Sequence, residues 1–140
     1  MIPFEPQGMH EIERVSSLKN LELLRCGSEA EGRPPLLFVH GAFAGAWCWA
    51  EHFIPYFAQA GYCCYALSLR GHGKSEGHGQ ISTHSVRHYV DDLEAAIKHI
   101  GTPPVVIGHS MGGFVAQKYL ERAALPAVVL MAAVPPHGLM

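Results

Sequence analysis

No stretch of this 140-residue sequence reaches the roughly 18 consecutive apolar residues that cross a bilayer. The first fifteen residues, MIPFEPQGMHEIERV, lack the basic stretch followed by an apolar core that marks a secretory leader, so a cytoplasmic location is the expectation. Charge is scarce as well. Charged residues make up 16% and the formal net charge is −2, which leaves no basic field to attract nucleic acid. There are four cysteines, Cys26, Cys48, Cys63 and Cys64, with no C-x-x-C spacing, and they read as reduced core thiols. Internal repeats and low-complexity tracts are also lacking.

What is present is apolar material, 49% of the residues, enough to build a real core. Short strands are expected over Glu11–Val15 and Leu21–Arg25, with SSLKN as the turn between them. Leu36–Val39 is an apolar run that fits a strand buried on both faces. Trp49, Phe53 and Phe57 recur every four residues. The helix they suggest should start near Ile54, with Pro55 in its first turn and Gly61 as its stop. Tyr62–Leu67 is the next strand, with Cys63 and Cys64 facing opposite ways. The glycine-rich loop SLRGHGKSEGHGQ follows.

The clearest helix is capped by Ser82 or Thr83 and ends at Gly101. Val86, Tyr89, Val90, Leu93, Ile97 and Ile100 form its apolar stripe. A strand at Val105–Ile107, a helix over Gly112–Arg122 and a strand over Ala127–Ala133 complete the series. The β-α-β-α-β-α-β order from Leu36 onward builds a mostly parallel sheet with helices on both faces. Sites in such sheets form at the carboxyl ends of the strands.

Two glycine-bearing turns fall at such ends, His40-Gly41 and Gly108-His109-Ser110-Met111-Gly112. The second matches G-x-S-x-G, a pattern that arises by chance in about 5% of chains this long. Its context is what carries the reading. A strand before and a helix after place a serine on a sharp, strained turn, where its hydroxyl projects above the sheet as a nucleophile. The flanking glycines give the clearance such a turn needs. The Met111 amide, at a helix N-terminus, and the Ala42 amide, in the loop after the earlier strand, are candidate oxyanion donors. Phe43 is the alternative to Ala42. Phe43 and Met111 are also candidate pocket walls, whereas Trp47 and Trp49 are expected in the core.

Other chemistry fits less well. His84, His88 and Asp92 recur at i, i+4 and i+8 like metal ligands, but H-E-x-x-H is not met, and no metal or cofactor is expected. SLRGHGKS falls one glycine short of a phosphate loop, with Ser68 in its place, and no helix follows.

FVHGAFAGAWCW, LSLRGHGKSEG and VIGHSMGG stand in the order and approximate spacing of the α/β-hydrolase superfamily, which the chain resembles over residues 36–133. The flavour is similar to its lysophospholipase-like and monoacylglycerol-lipase-like branch, and HGAFAGAWCW is similar to the loop of plant methylesterases and hydroxynitrile lyases. Where many relatives carry Asp before LRGHG, this chain has Ser68. The resemblance implies a serine ester hydrolase acting on a small-molecule ester, with His40 shaping the oxyanion loop. It also implies a triad in the order serine, acid, histidine, whose last two members lie well downstream.

After Ser110 the sequence offers only Glu121 and His137, and neither fits that order of elements. Residues 1–140 therefore read as the N-terminal portion of such a domain, ending before the cap and the C-terminal strands. The acid and base would be missing from it, and its turnover alone would be low. The alternative is a non-catalytic, hydrolase-like small-molecule-binding protein or an inactive fragment. The resemblance leaves oligomeric state and substrate identity open.

Overall fold

In the computed structural model, residues 10–137 are described. Six strands form one sheet in the order β1-β2-β4-β3-β5-β6. The strands are β1 (Glu13–Arg14), β2 (Leu23–Cys26), β3 (Leu36–Val39), β4 (Cys64–Leu67), β5 (Val105–His109) and β6 (Val128–Met131). β1, β2 and β4 pair antiparallel, while β4, β3, β5 and β6 run parallel. The expected mostly parallel sheet is therefore present, with an antiparallel edge.

The two faces are filled by residues that alternate along each strand. Leu37 and Val39 of β3 join Tyr65 and Leu67 of β4 in one apolar cluster. This cluster packs under the long helix α3 (Val86–Ile100) and under α4 (Met111–Tyr119). Leu36 and Phe38 join Cys64 and Ala66 on the other face, beneath α1 (Trp47–Ala50) and α2 (Phe53–Gln59). Strands sandwiched in this way need apolar side chains on both sides, which is why LLFV and CYAL read as unbroken runs. Cys63 and Cys64 fall in opposite clusters, and all four cysteines are free thiols. Burial raises the Cys64 thiol pKa to about 12, so it behaves as a small apolar core residue.

Several boundaries differ from the sequence expectation. α3 is capped by Ser85 rather than by Ser82 or Thr83, which lie in a 3₁₀ segment, His78–Thr83. Ser85 wins because its hydroxyl and the His88 ring close a reciprocal cap around the first turn. β1 and β6 are shorter than expected, and α4 stops at Tyr119, three residues before Arg122. Trp49 is buried as expected, but Trp47 is 63% exposed, because the four-residue α1 turns only one of the two rings toward Phe38. Among the described residues, no helix is long and apolar enough to cross a membrane.

The chain leaves β3 toward β4 on one side and later returns, through α3, to β5 on the other. The carboxyl ends of β3 and β5 therefore meet at the point where winding reverses, the place where open α/β sheets form crevices.

Candidate active site

Ser110 sits at that point, between β5 and α4. Its backbone has φ 51° and ψ −115°, a region that a residue with a side chain enters at a cost of order 1–3 kcal/mol. The surroundings over-determine the strain. Its N–H donates to the Met131 carbonyl at 3.0 Å, and its own carbonyl accepts the Val134 N–H at 3.1 Å and the Gly113 N–H at 3.1 Å. Ser110 is half-buried, and its side chain makes no capping hydrogen bond to α4. The hydroxyl is left uncommitted at the helix N-terminus.

The glycines around it are fixed by close approach. A Cβ on Gly112 would strike the carbonyl oxygens of Val39 and His40. A Cβ on Gly108 would lie 2.6 Å from the Gly112 carbonyl oxygen. The elbow is thereby pressed against the end of β3, and the Gly41 backbone comes to rest beside Ser110 and the His109 ring.

Met111 follows Ser110 at the start of α4, and Ala42 follows Gly41, whose backbone lies beside Ser110. Among the described residues, neither donates to a carbonyl in a turn or loop, while their neighbours do: Ala44 N–H donates to Gly41 at 3.3 Å and Gly113 N–H to Ser110 at 3.1 Å. The loop carrying Ala42 is held by His40, which is fully buried. His40 Nδ1 lies 2.6 Å from the Gly41 carbonyl, and Nε2 accepts the Leu69 N–H at 3.0 Å. Because Nε2 accepts, the ring proton sits on Nδ1 and is donated to Gly41. Burial lowers the His40 pKa to about 4, so the ring stays neutral near pH 7 with both nitrogens spent. It has no capacity left to take a proton from Ser110.

Phe43, with φ 60°, projects into solvent and is 89% exposed. With Ala44, Trp47, His72, Lys74 and Ile81 it lines a cleft of about 520 Å³ beside the Ala42 loop. Trp47 thus belongs to a surface cleft and not to the core. Met111 instead packs partly against the apolar cluster under α3 and α4.

Apart from His109, whose ring packs against Gly41, the other sequence-suggested titratable groups lie away from Ser110. Glu121 pairs with Lys118 at 2.9 Å beyond the far end of α4, about 16 Å along the helix from Ser110. His137 is exposed in the final turn. His84 precedes α3 instead of lying on it, and Asp92 is buried and bound by Arg70 through contacts of 2.8, 3.0 and 3.1 Å, so the suggested ligand ladder is not assembled. The burial of two carboxylates, Asp92 and Glu22, was not read from the sequence. Both occupy positions where an alternating or helical pattern places a solvent-facing charge, and the sequence carries no signal that they turn inward.

A family model described as Alpha/beta hydrolase family matches residues 36–140. The non-heme haloperoxidase of Rhodococcus erythropolis is 37% identical over 108 residues, covering 73% of this chain and 38% of that protein. The bifunctional esterase/perhydrolase of Acinetobacter calcoaceticus is 33% identical over 108 residues, covering 74% and 38%. A solved epoxide hydrolase from Vigna radiata superposes with a TM-score of 0.73 at 24% identity, covering 91% of this chain and 41% of that one. The chain spans about two-fifths of the length of these relatives, none of which is named a lysophospholipase.

Proposed function

The chain belongs to the alpha/beta hydrolase family, and from that premise we propose that it carries the nucleophilic half of a serine ester hydrolase. The observation that supports this reading is the strained Ser110 backbone with an uncommitted hydroxyl, followed in sequence by the Met111 amide and packed against Gly41, which precedes Ala42. Ser110 Oγ attacks the ester carbonyl carbon as its proton passes to a base. The developing oxyanion is held by the two amides. The tetrahedral species collapses to an acyl-enzyme with loss of the alcohol, and water then releases the acid. Each amide is worth roughly 10²–10³ in rate in studied enzymes.

Among the described residues no imidazole or carboxylate is hydrogen-bonded to the Ser110 hydroxyl: the neighbouring His109 ring packs against Gly41 and makes no bond to it. His40 is saturated and Glu121 lies at the far end of α4. On the family's order of serine, acid, histidine, we place the acid and histidine outside these 140 residues. Without a catalytic histidine, turnover in a studied serine protease falls by roughly 10⁶, so the 140 residues alone should turn over little substrate. The cleft lined by Phe43 and Trp47 suits an ester with an apolar acyl or alcohol part. Ester hydrolysis is also half of the activity printed in the name of the Acinetobacter relative.

A fluorophosphonate probe tests the reading on the protein that carries this sequence. Label is expected on Ser110 and lost in Ser110→Ala. No label, or label elsewhere, favours the non-catalytic binding protein instead.

A further inference from the structure

Ser68, just after β4, meets a carboxylate that the fold brings to it from the residue before β2. Glu22, just before β2, is 6% exposed, and Ser68, after β4, is fully buried. Glu22 Oε1 accepts the Ser68 hydroxyl at 2.7 Å and the Lys74 N–H at 3.1 Å. Ser68 Oγ in turn accepts the Ala46 N–H at 2.9 Å. Since Ala46 has only a hydrogen to give, the single Ser68 proton must point to Glu22, and the chain of bonds has one direction.

The backbones lock the same pair. Ser68 N–H donates to the Glu22 carbonyl at 2.9 Å, Glu22 N–H donates to Ser75 Oγ at 2.8 Å, and Ser75 Oγ donates to the Ser68 carbonyl at 2.5 Å. Gly73 packs against both side chains and fills the remaining space.

Ala46 ends the loop that begins at Gly41. The other end of that loop is fixed by His40 on the Leu69 N–H. Two consecutive residues, Ser68 and Leu69, therefore pin the two ends of the segment that presents the Ala42 amide to Ser110. One pin is a neutral imidazole. The other is a hydroxyl, free to rotate unless something orients it, and the orienting group is the Glu22 carboxylate.

We propose that Glu22 is a positioning residue for the oxyanion loop, acting through Ser68 on the Ala46 amide. Its catalytic consequence rests on the reading of Ser110 as the nucleophile, while its structural part does not. A buried carboxylate makes charge-assisted bonds about twice as strong as neutral ones.

The test moves the charge across the pair. Glu22→Gln weakens the relay, and Ser68→Asp puts two carboxylates in one buried pocket, where like charges repel. In the double variant one charge remains. The amide introduced at position 22 donates to the carboxylate introduced at position 68, and its oxygen accepts the Lys74 N–H. The relocated carboxylate accepts the Ala46 N–H directly. Amide hydrogen exchange, measured in the Ser110→Ala background of the protein carrying this sequence, reads the loop independently of serine chemistry. The exchange of Ala46, and of Ala44 whose N–H donates to the Gly41 carbonyl, should rise about tenfold in Glu22→Gln, the scale separating charged from neutral hydrogen bonds. β3 and β5 amides should stay protected. Ser68→Asp should exchange faster still, and the double variant should return to within about threefold of the parent.

In parallel, with Ser110 intact, the rate of fluorophosphonate labelling should fall in each single variant and recover in the double. Unchanged Ala46 exchange in Glu22→Gln, or a double variant no better protected than Ser68→Asp, overturns the relay. If the exchange pattern appears but wild-type Ser110 takes no label, it is the nucleophile reading that fails.

Discussion

His40 Nε2 accepts the backbone N–H of Leu69 at 3.0 Å, joining the loop after β3 to the loop after β4. The bond requires a neutral ring, and this has a pH consequence. The folded-state pKa, about 4, lies below the ordinary 6.5. Between those values the unfolded chain binds a proton that the folded chain refuses, so stability falls as pH falls. The contribution is complete above pH 6.5, and about 3 kcal/mol of it is lost on reaching pH 4. Urea unfolding across this window should show that slope, and His40→Asn should flatten it.

The strain at Ser110 separates stability from chemistry. Ser110→Gly removes the side chain that makes φ 51° costly, so its unfolding midpoint should rise, by about 1 kcal/mol in free energy. Ser110→Ala keeps a Cβ and should gain little. Both should lose fluorophosphonate labelling. Thermal unfolding of the three proteins side by side checks the order, and a Gly variant less stable than the Ala variant would contradict the strain.

Gly112→Ala drives a methyl group into the carbonyls of Val39 and His40. It should cost roughly 3 kcal/mol or more, because backbone on both sides has nowhere to go. Gly79→Ala meets nothing within 4 Å and should change stability by less than about 0.5 kcal/mol. Denaturant midpoints of the two variants provide the comparison.

Asp92 is 3% exposed and receives the Arg70 guanidinium in a fork, together with the Arg70 backbone N–H at 2.9 Å. Asp92→Ala leaves that half-buried guanidinium without its partner and should cost roughly 3 kcal/mol. Arg70→Lys should also weaken the fold, since an ammonium cannot reproduce the fork. Chemical denaturation measures both, and a Lys variant equal to the parent would rule out the bidentate contribution.

β6 lies at the sheet edge with Val129 46% and Leu130 47% exposed. An uncovered apolar edge strand templates pairing with other chains. The 140-residue chain should therefore self-associate with increasing concentration, and Leu130→Lys should reduce this in light scattering.

The central strands were legible because burial on both faces forces continuous apolar runs. LLFV, CYAL and VVIGH stand out from any alternating pattern. The turn at Ser110 was legible for a steric reason, since α4 presses on the end of β3 at Gly112 and on Gly108 of its own preceding strand, and neither position has room for a Cβ. Caps were less legible. Ser82, Thr83 and Ser85 are chemically equivalent candidates, and only the His88 ring reaching back decided for Ser85. Trp47 and Trp49 look alike in sequence, yet a helix of one turn buries one ring and exposes the other.

The order of apolar and glycine residues by itself determined the parallel sheet, the strand-to-helix turn and the identity of its serine, because these follow from local periodicity and local sterics. Only the tertiary structure decided that Glu22 and Asp92 are buried, that Glu22 holds Ser68, and that His40 has no nitrogen to spare. Those outcomes depend on which distant backbone donors come within 3 Å, and spacing along the chain carries no record of that.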